Sequence, residues 1–385
     1  MLTQRLEFDL ACDIEILASA PSSSAVFLLR SREDAEPYVG KTANLRRRLT
    51  RLLGPAETGS RRLNLRKQTR IIEFQPTGSD FESGFLLYRL LRATFPHAYT
   101  KKLRLRFAPL VKLHLENKYP RASVTRRIGK LHGRSLYYGP FLSRAAAEKF
   151  MNDSLDFFKM RRCVEDLHPD PAFPGCIYSE MKMCLAPCFK GCSDAEYRNE
   201  VEGVQNFFDS AGLSLVREIE RARERASEEL AFEEAATQHA RIDKLKPLLS
   251  QLPEAVQRID RMLAVMVQPS AEPGCVALFR VDAAVLSGPI AFPIQAAEHT
   301  KSQSMEARVD QALQSTPVAG PVSVLETMEH LAILKRWLYR GTRVGEIFFA
   351  NEAGELPMRR LVRGISRVYR GESAEPAPVP APPAS

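Results

Sequence analysis

Five of the chain's seven cysteines, Cys163, Cys176, Cys184, Cys188 and Cys192, fall within thirty residues. The segment that holds them is rich in Pro and Gly and poor in helical or strand periodicity. With Cys12 and Cys275 the total is odd, which argues against a disulfide framework in a chain without a secretory start. The clustering points instead to a metal. Thiolates suit either iron–sulfur or zinc. Structural zinc sites more often carry short Cys-x₂₋₄-Cys pairs at both ends, and Cys184-x₃-Cys188 supplies such a pair at one end only. Iron–sulfur is the favoured reading, with zinc as the alternative. Cys192 is a spare, and His168 reads as a loop residue.

Charge divides the chain on either side of that segment. Residues 1–135 carry 26 Lys and Arg against 12 Asp and Glu, a surplus of +14, so the total of +9 leaves −5 for the other 250 residues. The cations sit in two blocks, Lys41 to Arg70 and Lys101 to Arg134, each holding ten or more with a single acid, Glu57 or Glu116. Two such blocks in an otherwise acidic chain favour a polyanion partner, most simply nucleic acid, over a membrane surface, for which aromatic anchors are absent. No window approaches the roughly 18 consecutive apolar residues that span a bilayer. The N-terminus lacks the basic start and apolar core of a signal peptide, so the expected location is the cytoplasm. At 385 residues, two to four domains are expected.

Residues 25–31 and 36–40 read as a hairpin, 44–53 as a helix with Leu45, Leu49, Leu52 and Leu53 inward, and 70–75 as a third strand. Ser79-Asp80-Phe81-Glu82 opens an amphipathic helix over 80–95, stopped by Pro96. Together these make a compact α/β unit. Strands alternate with turns over 108–128 and return at 134–141, followed by a helix over 143–159. Residues 194–250 are strongly helical, with Leu215, Ile219, Ala222, Ala226 and Leu230 at helical spacing and a second helix from Phe232 to Leu249. Such a hairpin cannot bury its apolar seam alone. Beyond it lie strands at 274–282 and 288–294 and helices at 304–315 and 325–341, the second carrying the lone Trp337 as a core residue. A Pro/Ala tail over 371–385 reads as disordered.

"YVGKT" at 38–42 is not a phosphate loop, because the position five before Gly40 is Ala35 rather than Gly. Taken with the hairpin and helix, the stretch resembles the GIY-YIG nuclease domain, and in particular the N-terminal domain of the UvrC family of nucleotide excision repair. "AVF" (25–27) stands where that family has GIY-like residues, "YVG" (38–40) matches the second half of the name, and "KTANLRRRL" (41–49) matches a Lys followed seven residues later by an Arg. The resemblance continues through "YPRASVTRRI", "YYGPF", "CIYSEMKMCLAPC" and "RASEELAFEEAA", in the same order over residues 22–250.

The resemblance implies a domain that cuts phosphodiesters with tyrosines, a Lys, an Arg and one metal ion held by a Glu. Tyr38, Lys41 and Arg48 are present at their positions. The first Tyr is Phe27, the Glu falls on Leu87, and the family's Asn falls on Tyr99. Leucine cannot ligate a hard cation such as Mg²⁺ or Mn²⁺. Glu82 lies five residues before Leu87 and so points about 140° away on a helix; it has a capping role instead. Arg46, Arg47 and Arg51 are expected on the DNA-facing surface of the same helix.

By the same resemblance Cys163, Cys176, Cys184 and Cys188 are ligands of a [4Fe–4S] cluster. The helical hairpin is similar to the UVR motif that contacts UvrB, with Phe232 and Glu233 in its core. The family's following Arg-Asp pair is His239-Ala240 here, and internal packing of the hairpin on its own chain is the rival reading. Residues 251–370 are too short for the family's RNase H-like and helix-hairpin-helix modules. The expected architecture is α/β: a GIY-YIG-type domain (1–105), a β-containing and Cys-rich segment (106–200), a UVR-like hairpin (201–250) and a small α/β domain (251–370). The expected protein binds double-stranded DNA with a degenerate active site. A short active endonuclease and a scaffold for a UvrB-like helicase are the alternatives.

Overall fold

The computed structural model describes residues 2–31, 35–55, 62–131, 133–295, 303–315 and 322–372. Glu57 and the Pro/Ala tail from residue 373 onward lie outside the described residues. The architecture is mixed α/β, with three four-stranded antiparallel sheets among those residues.

The first sheet is built from β1 (Gln4–Glu7), β2 (Ala25–Ser31), β3 (Tyr38–Thr42) and β4 (Thr69–Pro76), in the order β1-β4-β2-β3. Residues alternate across it as a strand requires. Ala25, Phe27 and Leu29 enter a core with α1 (Asp13–Ser19) and Leu45, Leu49, Leu52 and Leu53 of α2 (Leu45–Leu53). The Asn44 side chain caps α2 by accepting from Arg47 N at 2.9 Å. The other face of β2 and β3 meets α3 (Asp80–Thr94), and α4 (Tyr99–Leu103) follows.

The second sheet comprises β5 (Leu110–Leu113), β6 (Ala122–Thr125) and β7 (Leu136–Gly139), extended by the two-residue β8 (Gln257–Arg258) from beyond the helices. On it pack α5 (Arg144–Leu155), the cysteine segment with the short α6 (Ile177–Glu180), and α7 (Asp194–Asp209), α8 (Leu213–Glu228) and α9 (Phe232–Ser250). The expected helix over 143–159 stops at Leu155, and the strongly helical stretch is three helices. Leu230 is not on a helix seam as its spacing suggested: it sits in the turn between α8 and α9 at φ +59 and is 70% exposed.

The third sheet, β11-β10-β9-β12, uses β9 (Leu263–Pro269), β10 (Cys275–Asp282), β11 (Val285–Pro293) and β12 (Glu346–Phe349). Its two faces serve different cores. Val265 and Val267 join Val276 and Leu278 under α10 (Met305–Gln314) and α12 (Met358–Arg370). Ala264 and Met266 join Ala277 and Phe279 under α11 (Val324–Leu338) and α3. Helix α3 therefore lies between two sheets, which explains why Phe81, Phe85, Tyr88 and Leu91 are buried along it. The loop before it is equally tight. A Cβ on Gly78 would fall 2.2 Å from the Pro269 carbonyl oxygen, so only glycine fits there.

Candidate functional site

On the α2 side of the first sheet, Phe27 pairs with Gly40 across β2 and β3. A Cβ on Gly40 would stand 3.1 Å from the Phe27 ring, so the missing side chain lets that ring lie across the strand. The Phe27 and Tyr38 ring centroids are 6.0 Å apart. Arg48, one turn into α2, donates from Nη2 to the Tyr38 hydroxyl at 2.8 Å. The structure thus joins Phe27, Tyr38 and Arg48.

It does not add Lys41 to them. Val39 packs in the cluster that includes α3 and Tyr38 in the opposite one, so alternation sends Lys41 out on the α3 side. Its Nζ lies 2.5 Å from Asp80 Oδ1, and Arg340, just after α11, places Nη1 at 2.5 Å from Oδ2. Burial works to raise the Asp80 pKa, but the two cations prevail and it is lowered. Neither Asp80 nor Arg340 stood out in the sequence, since 260 residues separate them.

The positions around the expected metal are accounted for differently. Leu87 is half-buried and packs against the apolar cluster shared with the third sheet. Glu82 is buried; its carboxylate accepts from Gly78 N at 2.8 Å while its own N–H donates to Ser79 Oγ at 3.0 Å. Burial, followed by the nearby Glu272 charge, raises its pKa against the lowering effect of the Gly78 bond. Tyr99 is buried and donates to Glu329 Oε1 at 2.7 Å, while Tyr88 donates to Oε2 at 2.8 Å. Glu329 is fully buried on α11, and so the Tyr99 position serves as a tie to the C-terminal sheet. Beside it His330 Nδ1 accepts from Leu286 N at 3.0 Å, and burial depresses its pKa to about 4.

Arg46, Arg47 and Arg51 are exposed on α2, as the periodicity predicts. Arg46 Nε donates to the Ala20 carbonyl at 2.8 Å, so one edge of its guanidinium is tied to the segment before β2.

Cys163, Cys176, Cys184 and Cys188 are all free thiols in one neighbourhood. Burial first, and then the charges of Cys163, Cys188 and Cys176, push the Cys184 thiol up to about 11. Among the described residues no three His, Cys, Asp or Glu side chains stand arranged to hold a metal ion. The donor chemistry nevertheless fits a thiolate-bound group. Arg161 Nη1 approaches Cys163 Sγ at 3.4 Å, and Ala186 N donates to Cys184 Sγ at 3.3 Å. The backbone takes positive φ at Lys182, Ala186 and Lys190 in the same segment. Cys192 packs against the core under the second sheet.

The helical hairpin is docked at its base and bare at its tip. Leu215, Ile219, Ile242, Leu245 and Leu248 join the middle core, whereas Phe232 is 68% exposed beside Leu230, and Glu233 is exposed with it.

A family model described as "UvrC/Cho excinuclease, middle domain" matches residues 108–207, which hold β5 to β7, α5, the four clustered thiols and most of α7. The chain is 28% identical over 293 residues to the "UvrABC system protein C" of Rickettsia africae (strain ESF-5), covering 75% of this chain and 45% of that protein. It is 27% identical over 231 residues to the protein of the same description from Methanothermobacter thermautotrophicus, covering 60% and 38%. The chain thus spans less than half the length of these relatives. No solved structure matches it. Residues 108–207 thus match a UvrC-type middle domain, and similarity to UvrC proteins runs on across three quarters of the chain.

Proposed function

We propose that this chain is a DNA-binding component of nucleotide excision repair whose GIY-YIG-type shell holds phosphates without an efficient cutting centre. One observation carries this reading. Leu87, at the position of the family's metal-binding Glu, packs into an apolar cluster, while the Tyr38–Arg48 pair persists. Phe27 further lacks the hydroxyl that handles a proton. The residues present at these positions do not fit a Mg²⁺ or Mn²⁺ ion. Cys163, Cys176, Cys184 and Cys188 hold a [4Fe–4S] cluster in this reading, supported by the free thiols and the N–H groups aimed at them. The cluster would staple a segment that has little apolar core of its own.

The test is duplex binding by the full chain in EDTA and in Mg²⁺. Binding in EDTA no weaker than in Mg²⁺, and falling steeply with salt as Lys and Arg displace counterions, is expected. Reversal of Arg46, Arg47 and Arg51 to Glu should weaken binding without unfolding the domain. A flat salt response, or binding that requires the divalent ion, would count against the reading.

The exposed Leu230 and Phe232 favour a second, compatible role: the hairpin tip docks a UvrB-like helicase. Phe232→Ala should weaken that association yet shift stability by no more than ~0.5 kcal/mol, as for an exposed site. Equal helicase binding by the variant would assign the hairpin to internal packing alone.

A further inference from the structure

Residues 103–107 alternate: Leu103, Leu105 and Phe107 pack in the cluster that contains Leu331, Leu334 and Leu338 of α11, and Arg104 and Arg106 are exposed. After β6 the same division holds, with Ile128 in that cluster and Arg126 and Arg127 exposed. Three segments distant in sequence thus share one apolar footing and turn cations outward along its edge. The end of α11 is fixed against the middle sheet by Tyr339, whose hydroxyl donates to the Pro140 carbonyl at 2.8 Å. Lys335 is one turn before Tyr339 on the same face, and Arg336 beside it is exposed.

No described acid is ion-paired with Arg104, Arg106, Arg126, Arg127, Lys335 or Arg336. Burial, then the charges of Arg126 and Arg106, lower the Lys335 pKa, so the three cations crowd one another without a neutralising partner. Such crowding is unfavourable in the isolated protein, and an approaching polyanion relieves it. One turn on, Arg340 shares Asp80 with Lys41, so two cations meet one carboxylate there and the positive surface continues to β3.

We infer that α11 of the C-terminal domain closes a gap between the two basic blocks, setting Lys335 beside Arg106 and Arg126, with the exposed Arg336 next to it in sequence, in a cationic seam that tracks a DNA phosphate backbone from the first sheet to the second. This rests on the DNA-binding reading above and assigns residues 324–340 a part in it. A nucleic acid rather than a membrane is the partner, because the exposed positions Arg104, Arg106, Arg126, Arg127 and Arg336 are all cationic while Leu103, Leu105, Phe107 and Ile128 between them turn inward.

The experiment compares duplex DNA affinity and its salt dependence for the full chain, Lys335→Gln/Arg336→Gln, and Arg359→Gln/Arg363→Gln. The last pair removes the same charge from α12, on the opposite face of the third sheet. The α11 variant should bind several-fold more weakly and lower the salt slope by about 2, at ~0.9 per phosphate contact. It should unfold no earlier than the parent, since removing a crowded charge relieves repulsion, and the α12 variant should bind as the parent does. Equal loss in both variants would reduce the effect to net charge and overturn the seam. Unchanged binding by the α11 variant, with the Arg46, Arg47 and Arg51 reversals still weakening it, would overturn the seam and leave the parent reading intact. Absence of DNA binding by the full chain, or retention only on anionic vesicles, would overturn both.

Discussion

Glu82 and Leu87 sit five residues apart on one helix and divide the question of catalysis between them. Glu82 has the oxygen a cation needs, but its carboxylate is spent on the Gly78 N–H at the tight approach to Pro269. Leu87 occupies the expected position without an oxygen. A carboxyl whose folded pKa lies above its ordinary value favours the fold most while protonated. Its contribution declines as pH rises from the ordinary value through the raised one. Glu82→Gln keeps an acceptor for Gly78 and removes the repulsion with Glu272. It should therefore be neutral or stabilising at pH 7, flatten that decline in thermal unfolding, and leave DNA affinity unchanged. Loss of binding in this variant would restore Glu82 as a functional carboxylate. Residue identities at Phe27, Leu87 and Tyr99 were legible in the chain, and so was the Ser79 cap, whereas the Glu82 carboxylate takes the Gly78 N–H, one residue before the one a capping box uses. That Tyr99 ties to Glu329 was not, because local pattern carries no information about a partner 230 residues away.

At the scale of elements, the hairpin of β2 and β3, α2, β4 and α3 all follow from periodicity and capping residues, and the structure places them within a residue or two. Short elements such as β1, α1 and α4 were not expected, and three elements of the C-terminal part escaped as well. Strand β9 is buried on both faces, so Leu263–Val267 reads as a continuous apolar run without the alternation that marks a half-exposed strand. Strand β12 is only four residues long. Helix α12 buries Leu361, Ile365 and Val368 at helical spacing, but arginines crowd the same stretch. The interface of α3 with α11 is also where a titration is built in. His330 is held neutral by burial, with Glu326 opposing and Arg92 and Arg89 reinforcing the effect. Its folded pKa of about 4 lies below the unfolded ~6.5. The unfolded chain therefore takes the proton first, and stability should fall as pH drops from about 6.5 toward 4, by at most ~1.4 kcal/mol per unit. His330→Asn, which can still accept from Leu286 N, should remove that slope in denaturant unfolding. An unaltered slope would place the titrating group elsewhere. The cysteine segment gives a parallel expectation. Protein prepared without oxygen should contain iron, and Cys184→Ser or Cys188→Ser should lose it and loosen the segment, since metal binding and folding are coupled there. Stoichiometric zinc without iron would refute the cluster.

Across the whole molecule, α3 is the hinge of the account, because it faces the GIY-YIG-type sheet on one side and the C-terminal sheet on the other. In the isolated α/β unit expected from the sequence this helix would have a free face, open to a metal and a scissile phosphate. Here that face is built into a core with Phe279, Leu331 and Trp337, and the first and third sheets are locked through it. The Tyr38–Arg48 pair and the α2 arginines lie on the far side of the first sheet, outside that core. In the proposed reading, a shell that binds but does not cut follows from that division. The measurement that tests it most directly is incision of a lesion-containing duplex by the unmodified chain in Mg²⁺ or Mn²⁺, with binding confirmed in the same tubes. The account predicts bound DNA that stays uncut above background. Robust metal-dependent incision, abolished by Tyr38→Phe or Arg48→Ala, would contradict it and show that another oxygen holds the metal.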